Sequence, residues 1–259
     1  MLIILPPSES KRPAPEKGPV LDLHRLSFPA LSAMRSRVLE ALVATSQRPD
    51  ARRRLLVGPS LAGEVERNSQ LRELPTRRAV DTYAGPLYVG LDAASWSPEV
   101  GARAARQVVI VSALWGAVRP DDRIPPYRLH VCARLIDMDR LEPTWRSVLP
   151  PILTEAAGST GPTVDLRSPA YQAVGRPEGL DEETVTLRVR PSPAGSPHIG
   201  DVIAKRIRGE AAAHLLASPV GAQDPVDIAD LLASRWPVDV KPPDGRRSSW
   251  TVTLEAPAP

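Results

Sequence analysis

Residues 108–128 read VVIVSALWGAVRPDDRIPPYR, an apolar run that passes directly into a charged, proline-rich segment. The run Val108–Val111 predicts a buried strand. Residues 112–128 then contain three arginines, two aspartates and three prolines. Because proline restricts its own backbone, this loop can hold charged side chains in place with little conformational entropy left to lose. A buried strand that ends in a rigid polar loop is a common layout for a binding site in an α/β protein.

Apolar runs and amphipathic stretches elsewhere predict further strands and helices. The predicted strands are 2–5, 164–166, 183–190 and 250–254, with 183–190 expected as an edge or antiparallel strand. The predicted helices are 32–46, 76–83, 98–106, 141–157 with a break at Pro150-Pro151, 199–216 and 225–233. These elements predict one compact α/β (mixed α+β) domain over 1–238, with a central mixed sheet and flanking helices. Residues 239–259 are expected to add a C-terminal strand and a partly disordered tail.

Composition narrows the class of protein and leaves the function open. Cys132 is the one cysteine, so neither a disulfide framework nor a cysteine-based zinc site is expected. The formal net charge of +3 over 259 residues is too mild to indicate nucleic-acid binding by itself. The apolar stretch before Pro6-Pro7 is too short for a signal peptide or a membrane helix, so we expect a cytoplasmic protein without a membrane partner.

Polar side chains follow three of the predicted strands. Parallel strands present their carboxyl ends at one edge of a sheet, where α/β proteins bind ligands. If the three strands are neighbours, these side chains converge with a basic helix face on one cleft of mixed but net positive charge. The side chains concerned are Ser8, Glu9 and Lys11, then Arg119, Tyr127 and Arg128, then Asp165, Arg167, Ser168 and Tyr171, and finally Lys205 and Arg208 on the helix.

Two kinds of chemistry fit such a cleft. Arginine forks bind phosphate or carboxylate and tyrosine rings stack on bases. The side chains suited to nucleic-acid or phosphate contact are Ser8, Arg119, Tyr127, Arg128, Arg167, Ser168 and Arg208. The side chains suited to catalysis are Glu9, Lys11, Asp165, Tyr171 and Lys205, with Glu9 or Asp165 as general base and Arg128 or Lys205 as electrophilic anchor. The alternative is a buried ion-pair network that locks the strand ends together.

Residues 52–68 predict two helices joined by a Gly-Pro-Ser turn and resemble a helix-hairpin-helix. In that motif the N–H groups of the turn bind a phosphate of duplex DNA. Gly58 would expose those groups, Ser60 would cap the second helix and Arg54 would add positive charge. A plain pair of helices with a solvated arginine face explains the same pattern.

Five motifs occur in order along the chain. They are MLIILPPSESK at 1–11, YAGPLYVGL at 83–91, SALWGAVRPDDRIPPYRL at 112–129, VDLRSPAY at 164–171 and IAKRIRG at 203–209. Together they resemble the signatures of the YaaA family of bacterial peroxide-stress proteins, from Met1 to about Leu216. The resemblance implies a response to hydrogen peroxide, protection against damage by free iron, and binding of double-stranded DNA through a positively charged cleft with a helix-hairpin-helix.

His130 and Cys132 depart from the family pattern, which has Glu-Met-Gly or a small residue after P-Y-R-L. On a strand the two side chains would face the same way, so they are candidates, together with His198, for binding haem, iron or another metal. The alternative is a local substitution without a new role. The departure also fits an enzyme of specialised metabolism that acts on a nucleobase, a nucleotide or another small polar molecule. DNA-binding stress protein and enzyme therefore both stay open.

Overall fold

The centre of the sheet is built from the two most apolar runs of the sequence. In the computed structural model, which describes residues 1–158, 161–191, 200–245 and 248–256, both runs are completely buried strands, β1 (Leu2–Leu5) and β3 (Val108–Ser112). They pair in parallel, with Ile3 opposite Val108. Burial of each large aliphatic side chain stabilises the fold by about 1.5–3 kcal/mol, so this pair anchors the core.

Seven strands form the main sheet in the described residues, and five of them run parallel. The other strands are β2 (Arg77–Arg78), β4 (Gly116–Val118), β5 (Arg123–Ile124), β6 (Thr163–Asp165), β7 (Thr184–Arg190), β8 (Val238–Lys241) and β9 (Trp250–Glu255). The order is β4-β3-β1-β6-β7-β9-β8, with β4 and β8 antiparallel at the edges and a separate ladder of β2 with β5. The predicted mixed α/β fold is confirmed. Because β3, β1 and β6 are neighbours, the segments after them emerge at one edge of the sheet.

Helices pack against this sheet and bury its apolar faces in one core. In the described residues they are α1 (Ser32–Ser46), α2 (Ala51–Arg54), α3 (Ala62–Arg67), α4 (Ala79–Thr82), α5 (Pro86–Leu91), α6 (Pro98–Gln107), α7 (Leu141–Arg146), α8 (Leu149–Ala157), α9 (Pro169–Gln172), α10 (Asp201–Ala217) and α11 (Pro225–Ala233). Short 3₁₀ turns lie at Leu23–Arg25, Pro29–Leu31, Pro59–Leu61, Asn68–Gln70 and Ala93–Ser95. Asp224 caps α11 by accepting hydrogen bonds from the N–H groups of Val226 and Asp227, at 2.8 and 2.9 Å.

Three local predictions need correction. The break between α7 and α8 falls at Ser147-Val148. Prolines 150 and 151 lie in the first turn of α8, where backbone N–H groups have no intrahelical acceptor, so proline loses no hydrogen bond there. Within 76–83 only α4 is helical, since Arg77–Arg78 pairs with β5. Strand β7 is neither an edge nor antiparallel: it runs parallel to both β6 and β9. Its first four residues are mostly buried, and its last three extend beyond the pairing with β6 and are more exposed.

The C-terminal segment belongs to the same sheet. Strand β9 pairs with β7 over six residues, and β8 pairs with β9 at the sheet edge. The expected C-terminal strand is therefore present, and it extends the sheet that the first 238 residues build. Residues 257–259, at the end of the expected tail, lie outside the described residues.

A close contact between α5 and α10 depends on two glycines. A Cβ atom on Gly209 of α10 would lie 1.9 Å from the carbonyl oxygen of Leu87, and one on Gly90 of α5 would lie 2.1 Å from that of Arg206. Only glycine lets the two backbones approach this closely. The glycines at the ends of two of the five motifs therefore serve packing of α10 against α5.

Candidate functional site

The loop after β1 is held in place by the segment that leads into α5. Lys11 forms a single antiparallel bridge with Tyr83, and Ala84 N donates to the carbonyl oxygen of Ser10 at 2.9 Å. The hydroxyl of Tyr88 donates to the carbonyl oxygen of Pro6 at 2.8 Å. The first and second motifs of the chain are thus one structural unit that presents Lys11 at the carboxyl end of β1.

The amine of Lys11 is enclosed by carbonyl groups and aromatic rings. Its Nζ donates to the carbonyl oxygen of Ser8 at 2.7 Å and reaches that of Glu9 at 3.4 Å. It lies 4.1 Å from the ring centroid of Tyr127 and 5.6 Å from that of Tyr83. Burial lowers the pKa of Lys11 from 10.5 to about 7, helped by the charge of Arg128 and opposed by that of Glu9. A large fraction of this amine is unprotonated at neutral pH.

A chain of three hydroxyl groups runs beneath Lys11. Ser112 Oγ accepts hydrogen bonds from the N–H groups of Leu114 and Trp115, at 3.2 and 3.1 Å, so its own proton is donated to Tyr127 Oη at 2.7 Å. Tyr127 Oη also shares a hydrogen bond with Tyr83 Oη at 3.0 Å. Burial raises the pKa of Tyr83 to about 12 and that of Tyr127 well above its ordinary value. Both phenols therefore stay protonated at neutral pH.

Arg128 stands beside the lysine and is paired with an exposed carboxylate. Its Nη2 lies 2.8 Å from Glu9 Oε2, and its Nη1 lies 3.3 Å from the carbonyl oxygen of Glu9 and 3.8 Å from Glu64 Oε2. The side chain of Arg128 is 17% exposed and that of Glu9 46%. Nε of Arg128 is buried and has no hydrogen-bond acceptor among the described residues. The guanidinium thus retains an unused donor.

The backbone of Arg128 is fixed by Asn68. The side-chain amide of Asn68 donates to the carbonyl oxygen of Arg128 at 2.9 Å and accepts from its N–H at 2.8 Å. A further hydrogen bond, from Arg134 N to the carbonyl oxygen of Arg54 at 2.9 Å, joins the same two segments. Residues 52–68 therefore support the loop that carries Arg128.

Asp165 and Arg167 form a second pair after β6, and this pair is closed. Arg167 Nε donates to Asp165 Oδ1 at 2.9 Å and Nη2 donates to Oδ2 at 2.7 Å. Nη1 of Arg167 donates to the carbonyl oxygens of Tyr171 and Gly175, and both side chains of the pair are at most 3% exposed. Asp165 and Arg167 thus form the buried ion pair that the sequence analysis gave as the alternative to a binding site. Neither side chain has a group free for a ligand.

Tyr171 and Ser168 lie at the start of α9, beside this pair. Tyr171 is buried, and its ring meets that of His130 edge to face at 6.1 Å between centroids. Burial first, and then the charge of Glu9, raises its pKa far above the ordinary value, so it stays a neutral phenol. Ser168 is partly exposed at the N-terminal boundary of α9, and its side chain makes no capping hydrogen bond.

Arg119 is not part of this cluster. Strand β4 folds back along β3, with Val118 opposite Ile110, so Arg119 returns to the amino end of β3. There its Nη1 donates to the carbonyl oxygens of Arg106 and Val108, at 2.7 and 3.1 Å. The predicted convergence of Arg119 with the other candidates is corrected: it lies at the opposite edge of the sheet.

Lys205 and Arg208 lie on α10, and their described contacts do not reach the Lys11 cluster. Lys205 Nζ forms an ion pair with Asp201 at 2.5 Å and its side chain is 47% exposed. Burial lowers the pKa of Arg208, opposed by the charge of Asp201. In the described residues α10 packs against α5, and Gly85, which precedes α5, is packed against Ser8.

His130 and Cys132 lie in a turn and not on a strand, so they are not aligned as predicted. His130 Nδ1 accepts a hydrogen bond from Cys132 N at 3.1 Å, which makes Nε2 the N–H of the neutral ring. A metal on Nε2 would require Nδ1 to carry the proton, facing the N–H of Cys132. Cys132 is exposed and lines a cavity of about 310 Å³ with Val131 and Ala170. His198 lies outside the described residues, and within them no group of three His, Cys, Asp or Glu side chains is placed to hold a metal.

The helix-hairpin-helix is shorter than predicted. Helix α2 has four residues and α3 has six. Ser60 lies within the 3₁₀ turn and caps no helix, while Gly58 is exposed at the preceding boundary. Arg54 Nε is paired with Asp50 Oδ2 at 2.9 Å, and Arg53 joins the same carboxylate at 3.1 Å. Two of the three consecutive arginines are thus partly neutralised.

Sequence comparisons match nearly the whole chain. The profile of the family described as peroxide stress protein YaaA matches residues 1–237. This chain belongs to that family. A UPF0246 protein of Streptomyces coelicolor is 37% identical over 235 residues, covering 90% of this chain and 89% of its own. Relatives in Corynebacterium efficiens (36% over 256 residues, 98% and 100% covered) and Salinispora tropica (30% over 243 residues, 89% and 86% covered) are also UPF0246 proteins.

Several residues that complete the site in this YaaA-family protein escaped the sequence reasoning. Tyr83 and Tyr88 lie in the second motif and were assigned no role. Because they flank the start of α5, both can contact the loop after β1. Ser112 was taken as the first residue of the segment after the predicted strand and was assigned no role, whereas it is the last residue of β3. Asn68 and Glu64 carry no motif signal, since their partner Arg128 is about sixty residues away in sequence.

In the described residues no helix is long and apolar enough to cross a bilayer.

Proposed function

We propose that this YaaA-family protein is a cytoplasmic enzyme that acts on a small polar molecule at the Lys11 cluster. In this proposal the unprotonated amine of Lys11 is the base or nucleophile, and its activity limits the damage that hydrogen peroxide and free iron cause. The observation that supports it is the setting of Lys11: its Nζ donates to the carbonyl oxygen of Ser8, lies over the Tyr127 ring and forms no ion pair with a carboxylate among the described residues. Enzymes lower lysine pKa values in this way for catalysis.

The neighbours of Lys11 supply the remaining functions of such a site. Arg128 offers a cation for an anionic or strongly polar group of the substrate. Glu9 and His130, with Oε1 and Nε2 3.9 Å apart, are partly exposed beside this pair and add polar groups of both kinds. The hydroxyl chain ending at Tyr83 supplies neutral donors in a buried setting.

The local charge also favours a small molecule over a nucleic-acid backbone. Two carboxylates, Glu9 and Glu64, accompany Arg128 and Lys11. A cleft that tracks phosphates needs a run of uncompensated cations, whereas a site for one polar molecule needs a few groups of both signs.

Survival under peroxide tests the proposal. A bacterial strain deleted for its own family member would be complemented with wild-type protein, Lys11→Met or Lys17→Met. Lys17 is exposed and serves as the matched control. We expect protection from the wild type and Lys17→Met and loss of protection with Lys11→Met at equal protein level. Equal protection by all three would contradict a role for the Lys11 amine.

Binding of duplex DNA is the second candidate, and one surface feature favours it. Arg52 and Arg53 are exposed next to the exposed turn at Gly58. Affinity for a random duplex would then fall steeply as salt rises from low to physiological concentration, and Arg52→Ala with Arg53→Ala would flatten that dependence. Binding that is absent at low salt, or indifferent to salt, would exclude this candidate.

A further inference from the structure

One edge of the Arg128 guanidinium is only half occupied. A carboxylate binds an arginine most tightly through two parallel hydrogen bonds, for example from Nε and Nη2. In Arg128, Nη2 is paired with Glu9 Oε2 at 2.8 Å, whereas the adjacent Nε is buried without an acceptor among the described residues. A buried donor that lacks a partner is unfavourable. A carboxylate that spans both nitrogens would supply that partner.

Glu9 is placed to be displaced by such a ligand. Its side chain is 46% exposed, and its carboxylate contacts only Arg128 and, at 3.9 Å, His130 among the described residues. An ion pair whose carboxylate is this exposed contributes little to stability. The Glu9 carboxylate can therefore rotate into solvent at little cost and leave the Nε–Nη2 edge to another anion.

The second reactive group lies next to this edge. Lys11 Nζ and Arg128 Nη1 both approach the carbonyl oxygen of Glu9, at 3.4 and 3.3 Å. The amine and the guanidinium therefore share one backbone acceptor and lie close together. A molecule that contacts both needs its anionic group close to its electrophilic carbon.

We infer that the site takes a 2-oxo acid, whose carboxylate replaces that of Glu9 on Arg128 and whose carbonyl carbon forms an imine with Lys11. This inference rests on the proposed function and specifies its substrate class. The neutral amine donates its two N–H bonds toward the carbonyl oxygens of Ser8 and Glu9, which leaves its lone pair free to attack.

The reaction balances without another reagent. The Nζ lone pair forms a bond to the carbonyl carbon, and the carbonyl oxygen takes both amine protons and leaves as water. A C=N bond joins the former carbonyl carbon to Nζ. Uptake of one proton from solvent gives an iminium, whose N–H can still donate to the carbonyl oxygen of Ser8 and whose charge lies against the Tyr127 ring.

Reductive trapping tests this directly. The full-length protein is incubated with pyruvate and sodium cyanoborohydride, which delivers a hydride to the iminium carbon and leaves a stable secondary amine. Peptide mass mapping then locates the modified lysine. We expect modification of Lys11 at pyruvate concentrations that leave Lys17 and Lys205 unmodified.

Two controls test whether the carboxylate of pyruvate is needed for modification of Lys11. Acetone, a ketone without the carboxylate, should modify Lys11 at least about tenfold less than pyruvate, because it forms no charge-assisted fork with an arginine. Arg128→Met should reduce pyruvate trapping to the acetone level, with its folded state checked by circular dichroism. Modification of Lys11 that is equal with both ketones would overturn the 2-oxo acid assignment.

Acetic anhydride at neutral pH distinguishes failure of this inference from failure of the proposed function. If Lys11 is acetylated faster than Lys17 yet pyruvate does not modify it, the amine is reactive and the 2-oxo acid inference is wrong. If Lys11 resists both reagents, the proposed function fails as well.

Discussion

Two arginine–carboxylate pairs at the same edge of the sheet differ in how completely they are satisfied. Arg167 meets Asp165 through both Nε and Nη2, gives Nη1 to two backbone carbonyls and is inaccessible to solvent. Arg128 meets Glu9 through Nη2 alone, keeps Nε unpaired and is paired with a carboxylate that is half exposed.

The difference separates a structural pair from a binding pair. Breaking a closed, desolvated pair leaves one buried charge without a partner, so its geometry serves the fold. An open pair with an unused donor and an exchangeable carboxylate costs little to rearrange, so it can accept a ligand. A buried guanidinium nitrogen without an acceptor also occurs in Arg35, Arg77 and Arg208 of the described residues, so the open pair with Glu9, next to Lys11, is what distinguishes Arg128.

The largest expected effect is on the closed pair. Arg167→Met leaves the Asp165 carboxylate buried without its partner, and we expect the free energy of unfolding to fall by about 3–5 kcal/mol. Equilibrium unfolding in urea measures this. A loss below about 1 kcal/mol would show that the pair is solvated and would remove the contrast with Arg128.

Lys11 should make stability depend on pH in a defined window. Its folded pKa of about 7 lies below the ordinary 10.5, so between these values the unfolded chain binds more protons than the folded one. The contribution of Lys11 to the free energy of unfolding therefore rises with pH across that window, by at most about 1.4 kcal/mol per pH unit.

Urea unfolding of the wild type and of Lys11→Met across that pH window measures this contribution as their difference. Lys205→Met is the matched control, because its amine is exposed and paired with Asp201. A wild-type minus Lys11→Met difference that is flat over the window would contradict a buried, neutral Lys11.

The open pair should matter little for stability. Arg128→Met and Glu9→Gln should each change the free energy of unfolding by about 1 kcal/mol or less, because the pair is partly solvated and Asn68 holds the backbone independently of the guanidinium. The same urea experiment measures both variants. A loss for Arg128→Met as large as that for Arg167→Met would place Arg128 in the scaffold.

The sequence was sufficient to predict that the polar segments after β1, β3 and β6 meet at one edge of the sheet. Polar motifs follow the predicted strands that correspond to β1, β3 and β6. Parallel strands that are neighbours in a sheet bring the segments after them together. That argument located Glu9, Lys11 and Arg128 in one cluster. It succeeded because strand direction and chain order determine which ends meet.

The sequence was not sufficient to tell which charged side chains are already satisfied. Asp165 and Arg167 look as available as Glu9 and Arg128 in the sequence, and only the packing of α9 closes the first pair. Arg119 was misplaced because the chain reverses at Gly116, whose φ of +69° permits the tight return of β4. A Trp-Gly pair after a strand was the signal for that reversal.

The central claim is that the Nε–Nη2 edge of Arg128 is the anchor for a carboxylate ligand, and arginine Nε–H resonances in ¹⁵N-labelled protein report on it directly. Arg128→Met and Arg167→Met assign the two signals. On titration with pyruvate, we predict a saturable shift of the Arg128 Nε–H resonance while that of Arg167 stays fixed. An Arg128 resonance that does not move at saturating pyruvate, or one that moves no more than that of Arg167, would contradict the account.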